Sequence, residues 1–321
     1  MNISIKSIDN SFEFINYTKD KNINFKNIDN IFGNPYFLNY HKNIICRYLL
    51  IEVENELVGY LPYTNDDEVI FSHGGATYGG FIQLLDLKDT EMENIFKDIK
   101  KFFSSSDFKK LIIRFLPDLF WNNNKSLNTF FYNNMINKFS EDEFYIPLKK
   151  DLLDINSSGF RRNHKRDIKR FQEIPSKIIE CHSRESVGEF HEILTKNLEK
   201  HEVQPTHTLE ELFWLKSNLS NEIKISLLKD KECFAGISLF EINKSTDYVM
   251  YGSLNYTNNI KGSLKYLYWK TAINSLNNNK KYLSLGINTK FDEPKNELLE
   301  KFKIGFGAKV VKRFTKEISL V

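Results

Sequence analysis

The sequence predicts two tandem α/β (α+β) domains, 1–150 and 151–321. Its 321 residues exceed the usual size of one domain, roughly 100–200 residues. Each half runs strand, helix, helix, hairpin, strand, helix, strand, helix, strand, which indicates an internal duplication. The two hairpins also share a motif, which reads Glu56-Leu57-Val58-Gly59 in the first half and Glu232-Cys233-Phe234-Ala235-Gly236 in the second.

In the first half, alternating apolar residues predict strands, and apolar residues three or four positions apart predict helices. The clearest helical stripe comprises Met92, Ile95, Phe96, Ile99, Phe102 and Phe103. The predicted elements in order are strand Ile3–Ile8, a helix from Asn34 to about Ile45, hairpin Tyr48–Val53 with Glu56–Tyr63, strands Val69–Ser72 and Phe81–Leu84, helix Thr90–Phe103, strand Leu111–Leu116, helix Leu127–Phe139 and strand Phe144–Leu148.

In the second half, capping residues and a proline delimit the helices. Ser157 or Ser158 caps a basic helix that ends at Pro175, and Thr208-Leu209-Glu210-Glu211 forms a capping box. The elements that follow the basic helix are strand Ile178–His182, helices Glu185–His201 and Thr208–Leu219, hairpin Ile223–Leu228 with Cys233–Ile242, strand Tyr248–Leu254, helix Gly262–Leu276, strand Tyr282–Ile287, helix Asn296–Lys303 and strand Lys309–Ile318.

Composition and charge exclude several classes of protein. The net charge of +3 is too near balance for a general nucleic-acid-binding surface. Apolar runs such as Tyr48–Ile51 are far shorter than the about 20 residues of a membrane-spanning helix, and no secretory signal is visible, so we expect a cytoplasmic protein. Cys46, Cys181 and Cys233 are too few and too scattered for a disulfide framework or a zinc site, and we expect no metal.

A turn suited to a pyrophosphate joins strand Tyr248–Leu254 to the helix that begins at Gly262. Converging backbone N–H groups and the positive end of a helix bind a pyrophosphate without much side-chain charge. Gly262 permits close approach of the backbone, and Ser263 adds a hydroxyl. An ordinary capped helix is the alternative. The residues assigned to this site are Asn259, Ile260, Lys261, Gly262, Ser263 and Leu264.

The basic helix after Ser158 is a candidate phosphate-binding element. Its cationic or titratable side chains are Arg161, Arg162, His164, Lys165, Arg166, Lys169 and Arg170. Such a cluster suits a diphosphate, because each arginine offers a planar pair of donors. A solvated basic face and an RNA-binding patch are the alternatives, and Lys169 and Arg170 fit the solvated face.

Two further segments carry candidate site residues. His73 and Tyr78 lie in a Gly-rich loop that allows close backbone approach, and we assign both to a substrate pocket; a tight surface turn is the alternative. His207 is the candidate base, because an imidazole with a pKa of about 6.5 can deprotonate an amine; a histidine that only packs its loop is the alternative. The sequence shows no Ser-His-Asp, Cys-His or HExxH arrangement, so we expect no covalent intermediate.

Taken together, these segments resemble the GNAT acyltransferase core. The closer resemblance is to the double-GNAT group of FemAB aminoacyltransferases and their acyl-CoA-using relatives. It implies two GNAT-like domains, each with a mixed, mostly antiparallel sheet flanked by helices, and coenzyme A at the turn before Gly262. The matching segments, in the family's order over most of residues 35–310, are Gly59-Tyr60-Leu61-Pro62, Tyr78-Gly79-Gly80, the basic helix, Pro205-Thr206-His207-Thr208, Phe302-Lys303 and Gly305-Phe306-Gly307.

The resemblance also implies roles for single residues. Arg161 or Arg162 corresponds to an arginine associated with the nucleotide diphosphate of the acceptor. Lys303 corresponds to a lysine linked to stabilising the reacting acyl group, as a cation can do beside a developing oxyanion; a lysine that complements the helix dipole is the alternative. We also assign Tyr251, in the strand before the turn, to the substrate site.

Three departures from the family pattern are visible, and the third guides the choice of reaction. The series Asn259, Gly262, Leu264 differs from the common Gln/Arg-x-x-Gly-x-Gly/Ala loop, and Lys301 stands where a tyrosine is common. The long helical arm that is common in tRNA-dependent members is absent, which favours the relatives that use acyl-CoA.

We therefore expect an N-acyltransferase that uses acyl-CoA and a dTDP- or UDP-linked amino sugar. Its product would serve a bacterial surface polysaccharide such as the O-antigen of lipopolysaccharide. An aminoacyl-tRNA-dependent peptidoglycan enzyme and a non-catalytic nucleotide-binding protein are the alternatives. We expect no membrane or nucleic-acid partner, and the sequence leaves open whether the chain forms a homo-oligomer.

Overall fold

The computed structural model describes residues 2–23, 25, 28–40, 44–72, 74–123, 125–200, 202–258, 260–289 and 292–321. The chain divides into two units, Met1–Glu141 with Lys312–Val321, and Asp142–Val311. The expected boundary at residue 150 thus differs from the observed one, and the last strand belongs to the first unit. None of the described helices is long and apolar enough to cross a membrane.

The elements of the first unit are β1 Ile3–Ile8, α1 Ser11–Asp20, α2 Pro35–Leu38, β2 Arg47–Val53, β3 Glu56–Asp66, β4 Val69–Ser72, β5 Ile82–Gln83, α3 Asp89–Ser104, β6 Lys110–Arg114, α4 Leu127–Asn134, the start of β7 Ile136–Pro147 and most of β13 Lys309–Ser319. Its sheet has the strand order β1-β2-β3-β4-β6-β13, and β5 pairs with β3. Adjacent strands are antiparallel, except that β4 and β6 are parallel.

After the end of β7, the second unit contains α5 Arg162–Gln172, β8 Lys177–Glu180, α6 Arg184–Glu199, α7 Leu209–Asn218, β9 Ile223–Lys229, β10 Cys233–Asn243, β11 Thr246–Leu254, α8 Ser263–Asn277, β12 Tyr282–Ile287 and α9 Glu297–Gly305. Its sheet has the strand order β7-β12-β11-β10-β9-β8. Adjacent strands are antiparallel, except that β11 and β12 are parallel.

The two sheets therefore repeat one topology. In each, four strands in sequence order are followed by a fifth that is parallel to the fourth, and a helix, α3 or α8, connects these two. The sixth position is held by β13 in the first unit and by β7 in the second. Mixed, mostly antiparallel sheets flanked by helices are confirmed.

Amphipathic helices cover these sheets. In α3, Met92, Ile95, Ile99 and Phe103 are buried in the core of the first unit, as the spacing of its apolar residues predicts. In the second unit, α5 and α8 contribute to the core cluster on one face of the sheet, and α6 and α7 contribute to another.

Two predicted helices are wrong in extent. The predicted helix Leu127–Phe139 ends at Asn134, and residues from Ile136 onward form β7. Cross-strand ion pairs, Lys138 to Glu317 and Arg313 to Glu141, hold this segment extended beside β13, so strand pairing overrides the local helical pattern. The helix predicted from Asn34 reaches only Leu38, and its expected continuation includes 41–43, outside the described residues.

Candidate functional site

The turn before α8 has the glycine geometry that the sequence predicts. Gly262 has φ +99° and is the N-cap of α8 without a side-chain hydrogen bond. A Cβ at this position would overlap the carbonyl oxygen of Asp167 on α5, so glycine is required both by the backbone conformation and by the space. Ser263 is fully buried, and its hydroxyl makes no hydrogen bond with a described residue. Asn259 lies outside the described residues.

A carboxylate lies beside this turn. Asp167 is 2% exposed, and its Oδ2 accepts a hydrogen bond of 2.6 Å from Lys265 Nζ, while Lys261 Nζ lies 3.9 Å from Oδ1. Burial raises the pKa of Asp167, but the hydrogen bond and charge of Lys265, with Lys261 and Arg166, outweigh it and lower the pKa below its usual value. The carboxylate therefore stays ionised, and it offsets part of the positive potential that a pyrophosphate would need.

Strand β11 diverges from β12 close to this turn. The parallel pairing covers only Thr246–Tyr248 opposite Tyr282–Ser284. On its other side, β11 shifts register against β10 between Ser238 and Leu239, a β-bulge that re-aims the side chains beyond it. Tyr268 of α8 packs against Gly252, where β11 still pairs with β10 but no longer with β12, since a Cβ on Gly252 would overlap the Tyr268 hydroxyl.

His207 and Tyr251 are brought together. His207 Nδ1 lies 2.7 Å from the hydroxyl of Tyr251, and the His207 carbonyl accepts a hydrogen bond of 3.0 Å from His191 Nε2. Burial raises the pKa of Tyr251 to about 12, although hydrogen bonds from Thr206 and His207 oppose it. When the ring proton is on Nδ1, the Nδ1–H group donates a hydrogen bond to the Tyr251 hydroxyl, and the basic lone pair is on Nε2. Tyr251 therefore has the geometry of a residue that positions the ring of His207.

Lys303 is held at the carboxyl end of β12. Its ammonium group donates to the carbonyl oxygens of Gly286, at 3.0 Å, and Ile287, at 2.8 Å. It also lies 5.6 Å from the ring centroid of Phe144, and the residue is 5% exposed. These contacts fix a buried cation at one end of the sheet, and its role toward an acyl group stays a prediction.

Arg161 and Arg162 lie exposed at the start of α5. The first turn of α5 has no acidic residue and no side-chain cap, so both cations lie at the positive end of the helix dipole, where an anion is favoured. Neither arginine forms an ion pair with any residue that the structure describes. Their proposed contact with phosphates is sterically open.

His164 connects α5 to α9 through a hydrogen bond and ring packing. Its Nε2 lies 3.0 Å from the carbonyl oxygen of Phe302, and the ring is perpendicular to Phe306 at 4.7 Å. A Cβ on Gly305 would overlap the imidazole. The ring therefore has a packing role, and it brings the start of α5 close to the end of α9, which carries Lys303.

We expect protonation of His164 to make stability fall in acid. Burial, then the charge of Lys265, lower its pKa to about 4; the Phe302 carbonyl and Asp167 act in the opposite direction, and Arg161 in the same one. Below pH 6.5 the His164 side chain binds a proton in the unfolded state but not in the folded state. The free energy of unfolding therefore falls between pH 6.5 and 4, and the loss is about 2–3 kcal/mol at pH 4.5. Urea unfolding at pH 7.5 and 4.5 measures this.

The matched variants for this test are His164→Gln and, at an exposed histidine, His182→Gln. His164→Gln should reduce the loss between the two pH values, and His182→Gln should keep the loss of the wild type. An equal loss of stability between pH 7.5 and 4.5 in the wild type and both variants would show that protonation of His164 does not cause the loss.

In the first unit, the Gly-rich loop is tied to β6. The Gly79 N–H donates to the Arg114 carbonyl at 2.6 Å, and the Gly80 N–H donates to Ser72 Oγ at 2.8 Å. Tyr78 is fully buried and packs edge-on against Phe32 at 5.4 Å. Its ring supports the loop, while its contact with a substrate stays a prediction; His73 lies outside the described residues.

Sequence reasoning missed two polar residues of interest. Both polar side-chain atoms of Asn288, directly after β12, are buried and lack a hydrogen-bond partner among the described residues. Arg114, at the end of β6, also has a buried Nε without such a partner. An arginine inside the apolar run Leu111-Ile112-Ile113-Arg114-Phe115-Leu116 was a visible signal; Asn288, in an Asn-rich chain, gave none.

Comparison with known proteins identifies the fold. No protein-family model and no curated protein sequence matches the chain. Among solved structures, FemX is 11% identical, with a TM-score of 0.68 over 98% of this chain and 97% of FemX. The C-terminal domain of a putative lysylphosphatidylglycerol synthetase from Agrobacterium fabrum is 9% identical, with a TM-score of 0.60 over 96% of this chain and 92% of that domain.

A tandem GNAT protein from the clavulanic acid biosynthesis pathway is 7% identical, with a TM-score of 0.50 over 100% of this chain and 99% of that protein. At these identities the similarity concerns the fold. The tandem GNAT-like fold is therefore confirmed.

Proposed function

We propose that this protein is an aminoacyltransferase that moves an aminoacyl group from aminoacyl-tRNA to an amine of a peptidoglycan precursor. The observation that carries this proposal is the likeness to FemX over nearly the full length of both chains. The name of the lysylphosphatidylglycerol synthetase also indicates an aminoacyl product. Both neighbours favour the aminoacyl branch of the FemAB-like resemblance.

The missing helical arm no longer weighs against this branch. FemX is covered over 97% of its length, so the part of FemX without a counterpart here is too short to be a long helical arm. The Asp167 carboxylate beside the turn before α8 also disfavours the diphosphate of coenzyme A at that place, because like charges repel in a partly buried setting.

In this mechanism the acceptor amine attacks the ester carbonyl of the aminoacyl group. His207 Nε2 takes the proton that the amine loses, Lys303 stabilises the developing oxyanion, and the tRNA hydroxyl leaves with a proton. Arg161 and Arg162 bind phosphate groups of the acceptor. The reaction takes place in the cytoplasm, where both substrates are made.

The second candidate is transfer from acyl-CoA to a nucleotide-linked amino sugar. The uncapped start of α8, with Gly262 at positive φ, favours it. Mass spectrometry separates the two candidates: one reaction contains a mixture of aminoacyl-tRNAs with a UDP-linked muropeptide, and the other contains a panel of acyl-CoAs with dTDP- and UDP-linked amino sugars. Product in the first alone supports the proposal, and product in the second alone overturns it.

We expect Arg162→Gln to raise the KM for the acceptor roughly tenfold or more and to change the donor KM less. A charge-assisted hydrogen bond contributes about 1.5–3 kcal/mol, and tenfold corresponds to about 1.4 kcal/mol. Arg170→Gln, on the same helix and equally exposed, is the matched control. Equal losses for the acceptor and the donor in Arg162→Gln, or no loss for either, would identify the helix as a solvated basic face.

A further inference from the structure

Arg114 is a partly buried cation without a partner among the residues that the structure describes. It ends β6, and its side chain forms no hydrogen bond or ion pair with any residue that the structure describes; its Nε atom is also shielded from solvent. Burial, then the charge of Arg313, lower its pKa, while Glu141 and Tyr78 oppose this. A cation in this state destabilises the protein unless something binds it.

The carboxylate whose charge acts on Arg114 is already engaged. Glu141 Oε2 accepts two hydrogen bonds from Arg313, at 3.1 Å from Nε and 2.6 Å from Nη2, and both residues are buried. Arg313 stands two residues before Thr315, the cross-strand partner of Arg114, so both arginines lie on one face of the sheet. Glu141 is thus paired with Arg313, and it forms neither a hydrogen bond nor an ion pair with Arg114.

Two further groups lie beside Arg114. Thr315 is 4% exposed, and its hydroxyl makes no hydrogen bond with a described residue. The Gly-rich loop meets the end of β6, where the Gly79 N–H donates to the Arg114 carbonyl at 2.6 Å. A guanidinium group, a hydroxyl and a glycine loop that permits close approach are the groups that bind an oxyanion in proteins.

We propose that the guanidinium group of Arg114 binds an oxyanion of the acceptor, either a phosphate or a carboxylate, beside the Gly-rich loop of the first unit. The assignment of this anion to the acceptor rests on the proposed function. The anion site itself does not, because it follows from the charge and burial of Arg114, Arg313 and Thr315.

The test uses the full chain and two probes, UDP for a phosphate and N-acetyl-D-alanyl-D-alanine for a carboxylate. Dissociation constants come from calorimetry, and Tm from thermal unfolding with and without probe. The variants are Arg114→Met, Arg114→Lys and the exposed control Arg170→Met. The probe that binds through Arg114 identifies the anion.

Arg114→Met should raise Tm without probe by a few degrees, since it removes an unpaired cation, and should raise the Kd of one probe at least tenfold. Arg114→Lys should give an intermediate Kd, because it keeps the charge but loses the planar pair of donors, and Arg170→Met should match the wild type. Unchanged Kd values in Arg114→Met, or a wild type that neither probe stabilises, would overturn the proposal. Anion binding without any acyl transfer would refute the proposed function, but it would still support the anion site at Arg114.

Discussion

Replacement of His207 by glutamine should lower kcat by roughly 10²–10⁴, with a smaller change in KM. Glutamine keeps most of the volume and can still bond to Tyr251, but it cannot take a proton. The 2.7 Å contact between Nδ1 and the Tyr251 hydroxyl should survive, so that the variant tests protonation rather than packing. The measurement is a pH–rate profile of wild type and variant with the substrate pair that mass spectrometry identifies.

Two controls separate a base from a packing residue. Tyr251→Phe removes only the hydroxyl that orients the ring, and it should lower kcat less than His207→Gln. The deficit of His207→Gln should shrink at high pH, where the amine loses its proton unaided. An acidic limb with the same midpoint in wild type and His207→Gln would exclude His207 as the titrating base.

Replacement of Gly262 by alanine should lower the free energy of unfolding by about 2–5 kcal/mol. Part of this loss is strain, because φ +99° is unfavourable for any residue with a Cβ. The rest is overlap with the Asp167 carbonyl oxygen, part of the α5 backbone, which cannot move aside as a side chain can. Urea unfolding at neutral pH measures the difference.

Gly159→Ala is the matched control, since a Cβ there would meet no atom within 4 Å; it should change stability by less than about 0.5 kcal/mol. If α8 also holds the donor, Gly262→Ala should raise the donor KM several-fold under conditions in which it remains folded. Wild-type stability in Gly262→Ala would show that α5 and the turn before α8 are not packed as described.

The parts of the site that the sequence predicted are those with a local physical signal. A glycine directly before a helical pattern predicts the turn at Gly262, and a capping box predicts the start of α7 beside His207. The pairing of His207 with Tyr251 was not predictable, because it depends on how the segment before α7 packs against β11. The burial of Tyr78 and the lock between His164 and Gly305 likewise depend on tertiary contacts.

The errors in the fold have the same origin. The pattern of residues 127–139 is compatible with a helix, and only the partners on β13, far away in sequence, make Ile136 and its successors a strand. Arg114 is the opposite case. A charged residue inside an apolar run is visible in the local sequence, but the absence of a carboxylate partner among the described residues depends on the pairing of Glu141 with Arg313.

The last ten residues complete the sheet of the first unit. Thr315–Ser319 pair with Lys110–Arg114, and Leu320 is buried in the core of that unit. During synthesis, the amino-terminal half therefore leaves the ribosome with β6 as an unpaired edge, and it keeps that edge until residues 315–319 have been made. An exposed edge strand recruits other chains, so we expect nascent chains of this protein to depend on chaperones, and removal of residues 312–321 to cause aggregation.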